Sequence, residues 1–336
     1  MMSMRRKIFC AALVLAAAVS CVSDEEPHSV LTEDKDAMLE VRMVSGTTKV
    51  SGEGGDEEAT LSDCQVLVYD MTTRKLEAYE KPSTSSSDVT LRCRTGLKEV
   101  VVIANAPDAS GFVSYVDFLQ KRSFLTDNSV GRLVMSGNAS LDLKLSGGSV
   151  TVDLRRIAAK VILDKITVGF AQETYDDMDF ILKKVYLTNV AGDMAYMAGT
   201  PDPLQWYNKI VNNDPEDVVA LISDSLGDVN LKGGADYTDK HHFYCYPNPY
   251  ETDSFSSSEW SPRPTRLVVE AVLGGVLYYY PVMLPKMERN TRYHVSLNIM
   301  RPGVSSPEQN MKKQDAEFTI NVVGWQESEN VSETIL

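Results

Sequence analysis

Histidine is scarce in this chain, with four in 336 residues: His28, the adjacent pair His241 and His242, and His294. In an extended strand neighbours point to opposite faces, so His241 and His242 cannot share a metal from one strand. The chain also lacks a Gly-x-Ser-x-Gly elbow, a Gly-Lys-Ser/Thr phosphate loop and a Cys-x-x-Cys pair. Hydrolase, nucleotide-binding and thioredoxin-type chemistry therefore have no signature here. No enzyme activity, metal or cofactor is expected. Basic residues are in the minority: Lys and Arg number 33 against 47 Asp and Glu, for a net charge of −14. That balance argues against nucleic acid as a partner. After the leader only Cys64, Cys93 and Cys245 follow Cys21. An odd set at these spacings indicates no disulfide framework, and Cys64 and Cys93 read as small core hydrophobes. Beyond the first 20 residues no apolar run is long enough to cross a bilayer, which takes about 20 residues.

What the chain does have begins at its start. Arg5, Arg6 and Lys7 precede the apolar run Ile8 to Val19, and small residues lead through Ala18 and Ser20 into Cys21. A charged, then apolar, then small-residue pattern is a secretory signal. A cysteine at the cut marks a lipoprotein, although Ala18 stands where such signals usually have Leu. Two acyl chains on Cys21 would give stable membrane anchoring. Residues 1–20 are thus read as signal peptide and 21–36 as an acidic linker. In the linker, Ser23-Asp24-Glu25-Glu26 resembles an export signal that sends lipoproteins to the outer face of the outer membrane.

The body reads as strands of period two. Leu39, Val41 and Met43 alternate with Glu40 and Arg42, and the same alternation recurs at 64–69, 89–94, 141–145, 150–154 and 157–163. Val100 to Ala104 is continuously apolar, as in a strand buried on both faces. Gly274-Gly275 separates two further strands as a hairpin turn. Tyr293 to Ile299 forms another strand, and Ala316, Phe318, Ile320 and Val322 the last, ending near Trp325. Helices are few: one over 113–121 and one opening at Asp214-Pro215 and running through Leu226. Many short strands with turns between them predict a mainly β protein of two tandem antiparallel β-sandwich domains. The boundary is placed after Arg155, giving domains at 37–155 and 156–336. Ser51 to Glu58, nearly all Gly, Asp and Glu, reads as exposed and mobile. His294 reads as outward-facing, and Tyr279 as opposed to Tyr278 and Tyr280 across its strand.

The order of several short motifs resembles the fimbrillins, the type V pilins of Gram-negative anaerobes. Cys64 to Asp70 is similar to that family's first strand after its processing loop. Gly96 to Pro107 is similar to its buried strand ending in Ala-Asn, and Arg155 to Ile166 to the strand opening its second domain. Arg289-Asn290-Thr291-Arg292-Tyr293 and Gly324-Trp325 match two late motifs. The resemblance implies two transthyretin-like sandwiches and a lipoprotein precursor in the outer membrane. A protease then removes the lipidated segment with the first strand, here 38–44 with Leu39, Val41 and Met43, by cutting in a processing loop at 45–60. A donor strand from the next subunit fills the groove by β-augmentation and builds an adhesive fimbria. The donor expected here is Ala316, Phe318, Ile320 and Val322 with the tail to Leu336. In the family the cut follows Arg; here the corresponding residue is Lys49, with Arg42 as the alternative. The implied partners are other copies or related pilin subunits, the outer membrane through lipid on Cys21, and a host or bacterial surface ligand. If no protease accepts Lys49, the chain stays lipid-bound as an anchor or assembly subunit. A different reading is a surface glycan-binding lipoprotein using Trp206 and Trp260.

Overall fold

A computed structural model describes residues 35–45, 58, 60–83, 87–197, 202–211, 214–215, 220–232, 234–252, 260–325 and 334–335. Cys21, Lys49 and the acidic run 51–57 lie outside the described residues. Residues 35–336 form one compact unit.

Strand β1 (Asp36–Ser45) alternates strictly, burying Ala37, Leu39, Val41 and Met43. Val44 is 42% exposed, and Ala37 is the fourth inward side chain. Next come β2 (Cys64–Asp70), β3 (Leu76–Glu80), β4 (Asp88–Arg94) and β5 (Gly96–Ala104). Helix α1 (Tyr115–Leu119) is one short turn capped by Ser114, whose side chain accepts from the Asp117 amide. β6 (Arg122–Phe124), β7 (Met135–Leu143) and β8 (Gly148–Arg156) complete this half. Seven strands form one bent sheet in the order β3-β2-β5-β7-β8-β1-β4. The bend is at β7 and β8, which pair only at Met135–Arg156 and Ser136–Arg155 before parting. Gly137 is required there, because a Cβ would lie 2.3 Å from the Asp153 carbonyl oxygen.

The bend folds the sheet over a core. Leu39, Val41 and Met43 of β1 and Val89, Leu91 and Cys93 of β4 face Val66, Val68, Val100 and Val102. The other faces of β2 and β5 carry Leu67, Tyr69, Val101 and Ile103 into a second, larger core with Phe118 and the strands after residue 159. The continuous apolar run at 100–104 is thus explained by burial on both faces. Asn105 closes it in a left-handed conformation, φ +56°. Its side chain donates to the Thr60 and Leu133 carbonyls and accepts from the Ser62 amide.

The chain continues through β9 (Ala159–Val168), β10 (Phe180–Thr188), β11 (Ser223–Asn230), β12 (His241–Cys245), β13 (Arg266–Leu273), β14 (Val276–Met283), β15 (Thr291–Ile299) and β16 (Ala316–Gly324). One sheet runs β11-β10-β13-β14; another joins β12 and the Asp236–Tyr237 pair to β9, then β15, β16 and Thr334–Ile335. The architecture is mainly β with sandwich-like sheets. Most pairings are antiparallel, but β1–β8 and β9–β15 are parallel. The Gly274-Gly275 turn has φ +57° and +85° and joins β13 to β14 directly.

The helix expected from Asp214 is not there. Asp214–Pro215 pairs with Ile210–Val211, Ala220–Ile222 makes a single 3-10 turn, and β11 lies along β10 as an edge strand. Ser, Asp, Asn and Gly dominate β11 and compete poorly for a helix, so pairing with β10 decides. His294 is covered as well, bonded to Asp164 at 3.0 Å. Tyr280 is fully buried whereas Tyr278 and Tyr279 are half-buried on opposite faces of β14.

Candidate functional site

The first strand occupies a slot. On one side β1 pairs antiparallel with β4, from Asp36–Arg94 to Arg42–Asp88. On the other it runs parallel to β8, from Leu39–Gly148 to Ser45–Leu154. β1 is the only sheet neighbour of β4 among the described residues, so the slot would be open to main-chain pairing on both walls without it. Leu39, Val41 and Met43 are essentially unexposed and seal its floor. Burying them is worth about 5–9 kcal/mol at roughly 1.5–3 kcal/mol each. Arg42 is held within this ladder and donates through Nε to Asp88 at 3.1 Å.

The segment after β1 ends at an anchor that the sequence reading missed. Glu58, expected to be exposed with the acidic run, is 5% exposed. Its carboxylate accepts from Lys160 Nζ at 2.7 Å, from the Tyr244 hydroxyl and from Trp325 Nε1 at 3.2 Å. Its carbonyl accepts from Arg156 Nε at 3.2 Å. The Arg156 guanidinium lies 4.8 Å from the centre of the Trp325 ring, and Tyr244 stacks on the same ring. Burial lowers the Lys160 ammonium below its ordinary range, and Glu58 opposes that shift. The signal was available: a lysine inside the buried strand β9 requires an acid. Lys98 in β5 obeys the same rule, with Asp70 and Glu77 each at 2.6 Å.

The expected donor segment lies at the far side of the molecule's last sheet. β16 pairs with β15 along its whole length, from Thr291–Gly324 to Ile299–Ala316. Among the described residues its second edge meets only Thr334–Ile335, at Thr319 and Ile320. Ala316 and Ile320 are buried and Phe318 is half-buried, but Val322 turns out at 46% exposure and Val323 goes in. Cys64 and Cys93 are buried in the core against β1, and burial pushes both thiols up to about 11. Trp206 is buried and packs edge-on against Trp260 at 5.3 Å. Trp260 is half-buried and donates to Asn189 at 3.0 Å. The two rings therefore do not form an exposed platform. No group of three His, Cys, Asp or Glu that could hold a metal occurs among the described residues.

No protein-family profile matches the chain. A curated relative, the major fimbrium subunit FimC of Porphyromonas gingivalis, is 25% identical over 313 residues, covering 85% of this chain. The chain spans about three-fifths (61%) of that relative's length. Among solved structures, a candidate cell adhesion protein from Bacteroides eggerthii has the same fold, with a TM-score of 0.65 and 18% identity over 87% of this chain and 97% of the other. A fimbrilin from Porphyromonas gingivalis superposes with a TM-score of 0.64 and 16% identity, covering 86% of this chain and 97% of the other. The chain is thus similar in sequence to a fimbrium subunit and shares its fold with a fimbrilin.

Proposed function

We propose that the chain is a structural subunit of a cell-surface fimbria. It is exported as a lipoprotein through Cys21 and assembles by exchanging β1 for a strand of another pilin subunit. The observation that carries this reading is the slot itself. β1 supplies the whole middle of a three-strand wall, and in sequence residues 46–57 join it to Glu58. Glu58 is fixed independently on the other side of that segment. One cut there would free β1 and leave the remainder anchored. The vacated walls, β4 and β8, present unpaired amides and carbonyls above an apolar floor, and a donor strand restores both. The expected cut follows Lys49, and the expected donor is β16 with the tail beyond it.

Mass spectrometry of surface material from the native host tests this. The subunit reading expects a form beginning near Val50. Recovery of full-length, Cys21-lipidated protein alone would reject the polymerising role and leave a retained anchor. The thiols report the exchange directly. In the intact chain Cys93 sits opposite Ala37 of β1, and a thiol raised to about 11 is hardly ionised at pH 8. Iodoacetamide at pH 8 is expected to leave Cys64 and Cys93 unlabelled in the precursor. After cleavage and before a donor docks, Cys93 is expected to label at least tenfold faster. Equal labelling before and after cleavage would mean that β1 does not leave.

A further inference from the structure

A cleft of about 410 Å³ opens at the seam where β7 and β8 part, lined by Ser136, Asn138, Asp153, Arg155, Arg289 and Asn290. Arg289 sets its charge. The guanidinium donates to the carbonyls of Tyr196, Ser136 and Arg155 and to the Ser136 hydroxyl, at 3.1 to 3.5 Å. None of these acceptors is a carboxylate. Burial and the neighbouring Arg155 lower its pKa to about 10, with no acid opposing the shift. Arg155, mostly exposed, is only partly neutralised, by Asp153 at 3.0 Å. A cation desolvated without an acidic partner beside a second arginine is an arrangement that a carboxylate completes.

The cleft also lies at one end of the β1 slot. β1 stops pairing at Ser45–Leu154, and β8 continues through Arg155 and Arg156. A strand that follows β8 further than β1 does comes to lie beside Arg155. The tail 326–336 carries Glu327, Glu329 and Glu333 and no lysine or arginine. We infer that the Arg155–Arg289 cleft is a carboxylate site for a glutamate of the tail of a second copy of this chain. The inference rests on the strand-exchange reading and adds to it an electrostatic lock. The apolar anchors then provide burial, while the cleft fixes how far along β8 the incoming strand is seated.

The test titrates the full chain with a peptide of residues 326–336, and with the same peptide carrying Glu327→Gln, Glu329→Gln and Glu333→Gln. The guanidinium nitrogen signals of Arg155 and Arg289 are followed by NMR. The glutamate peptide is expected to bind at least tenfold more tightly and to move both signals. That preference is expected to fall below threefold in Arg155→Gln. Arg155 is the variant of choice because losing Arg289, which ties three carbonyls, endangers the fold. Equal affinity for the two peptides, or arginine signals that do not move, would overturn the site. Polymerisation of the cleaved chain is measured in parallel. A glutamate preference without polymerisation keeps the cleft and removes the exchange reading; polymerisation without the preference does the reverse.

Discussion

Val41→Asp is expected to release the first strand without any protease acting on the segment after it. Val41 is fully buried at the centre of β1, opposite Val89 of β4 and beside Val150 of β8. A carboxylate there must either be desolvated without a partner or leave the core, and the loss of apolar burial adds to the cost. Together these effects amount to about 3–5 kcal/mol, comparable with the burial that holds the strand. At about 1.4 kcal/mol per factor of ten, the open state of the slot gains roughly two to four orders of magnitude. Trypsin provides the readout. In the wild type, the Arg42 backbone is fixed between Asp88 and Thr151, so cleavage after Arg42 is expected to be slow. In Val41→Asp it is expected to be at least a hundredfold faster, with Cys93 becoming alkylated in parallel. Val44→Asp is the control: Val44 already faces outward, so its cleavage rate is expected to stay within about threefold of wild type. If both variants were cut equally fast, inward packing would not be what retains β1.

The strands were legible because their burial follows local alternation. Leu39, Val41 and Met43 announce an inward face, and the structure places them there together with Ala37. A run buried on both sides, 100–104, announces itself by losing alternation. Legibility fails where a residue's state depends on something distant. Val44 continues the apolar pattern but falls in the outward phase of β1. Leu226 reads as a helix residue until β10 offers its edge to the chain from Ser223. The parallel course of β1 along β8 brings together residues more than a hundred positions apart, and no local pattern encodes it. Glu58 is the sharpest case, since its neighbours in sequence are acidic and glycine-rich and its partners lie 98 to 267 positions away. Only the unexplained lysine in β9 pointed to it. The inward face of β1 could therefore be read from the sequence, whereas the Glu58 clasp beside it and the two-arginine cleft at its end could not.

Glu58→Ala is expected to cost about 3–5 kcal/mol, although it shortens one side chain in an acidic segment. The ammonium of Lys160 is 2% exposed and lies close to Arg156 and Arg292, both of which disfavour its charge. Without the carboxylate it stays buried and unpaired, and the Tyr244 hydroxyl and Trp325 Nε1 lose their acceptor. The pH dependence follows from the sign of the Lys160 shift. Its folded pKa is already below the ordinary 10.5, and removing Glu58 withdraws the one interaction that raised it. The unfolded chain then binds more protons than the folded one between the lowered pKa and 10.5, so the variant's stability rises with pH across that window. Denaturant unfolding should accordingly show a smaller gap between variant and wild type at pH 10 than at pH 7. Removing the cation as well, in Glu58→Ala with Lys160→Met, is expected to recover at least half of the loss at pH 7, because the unpaired charge, not the missing bond, carries most of the cost. A loss below about 1 kcal/mol, or no recovery in the double variant, would show that the clasp does not hold the segment after the slot. If the clasp holds and the chain is cut as proposed, its new end would stay close to the walls that β1 would vacate. Glu58→Ala should then slow donor docking by more than its effect on stability alone, when both are compared at a temperature where each protein is fully folded.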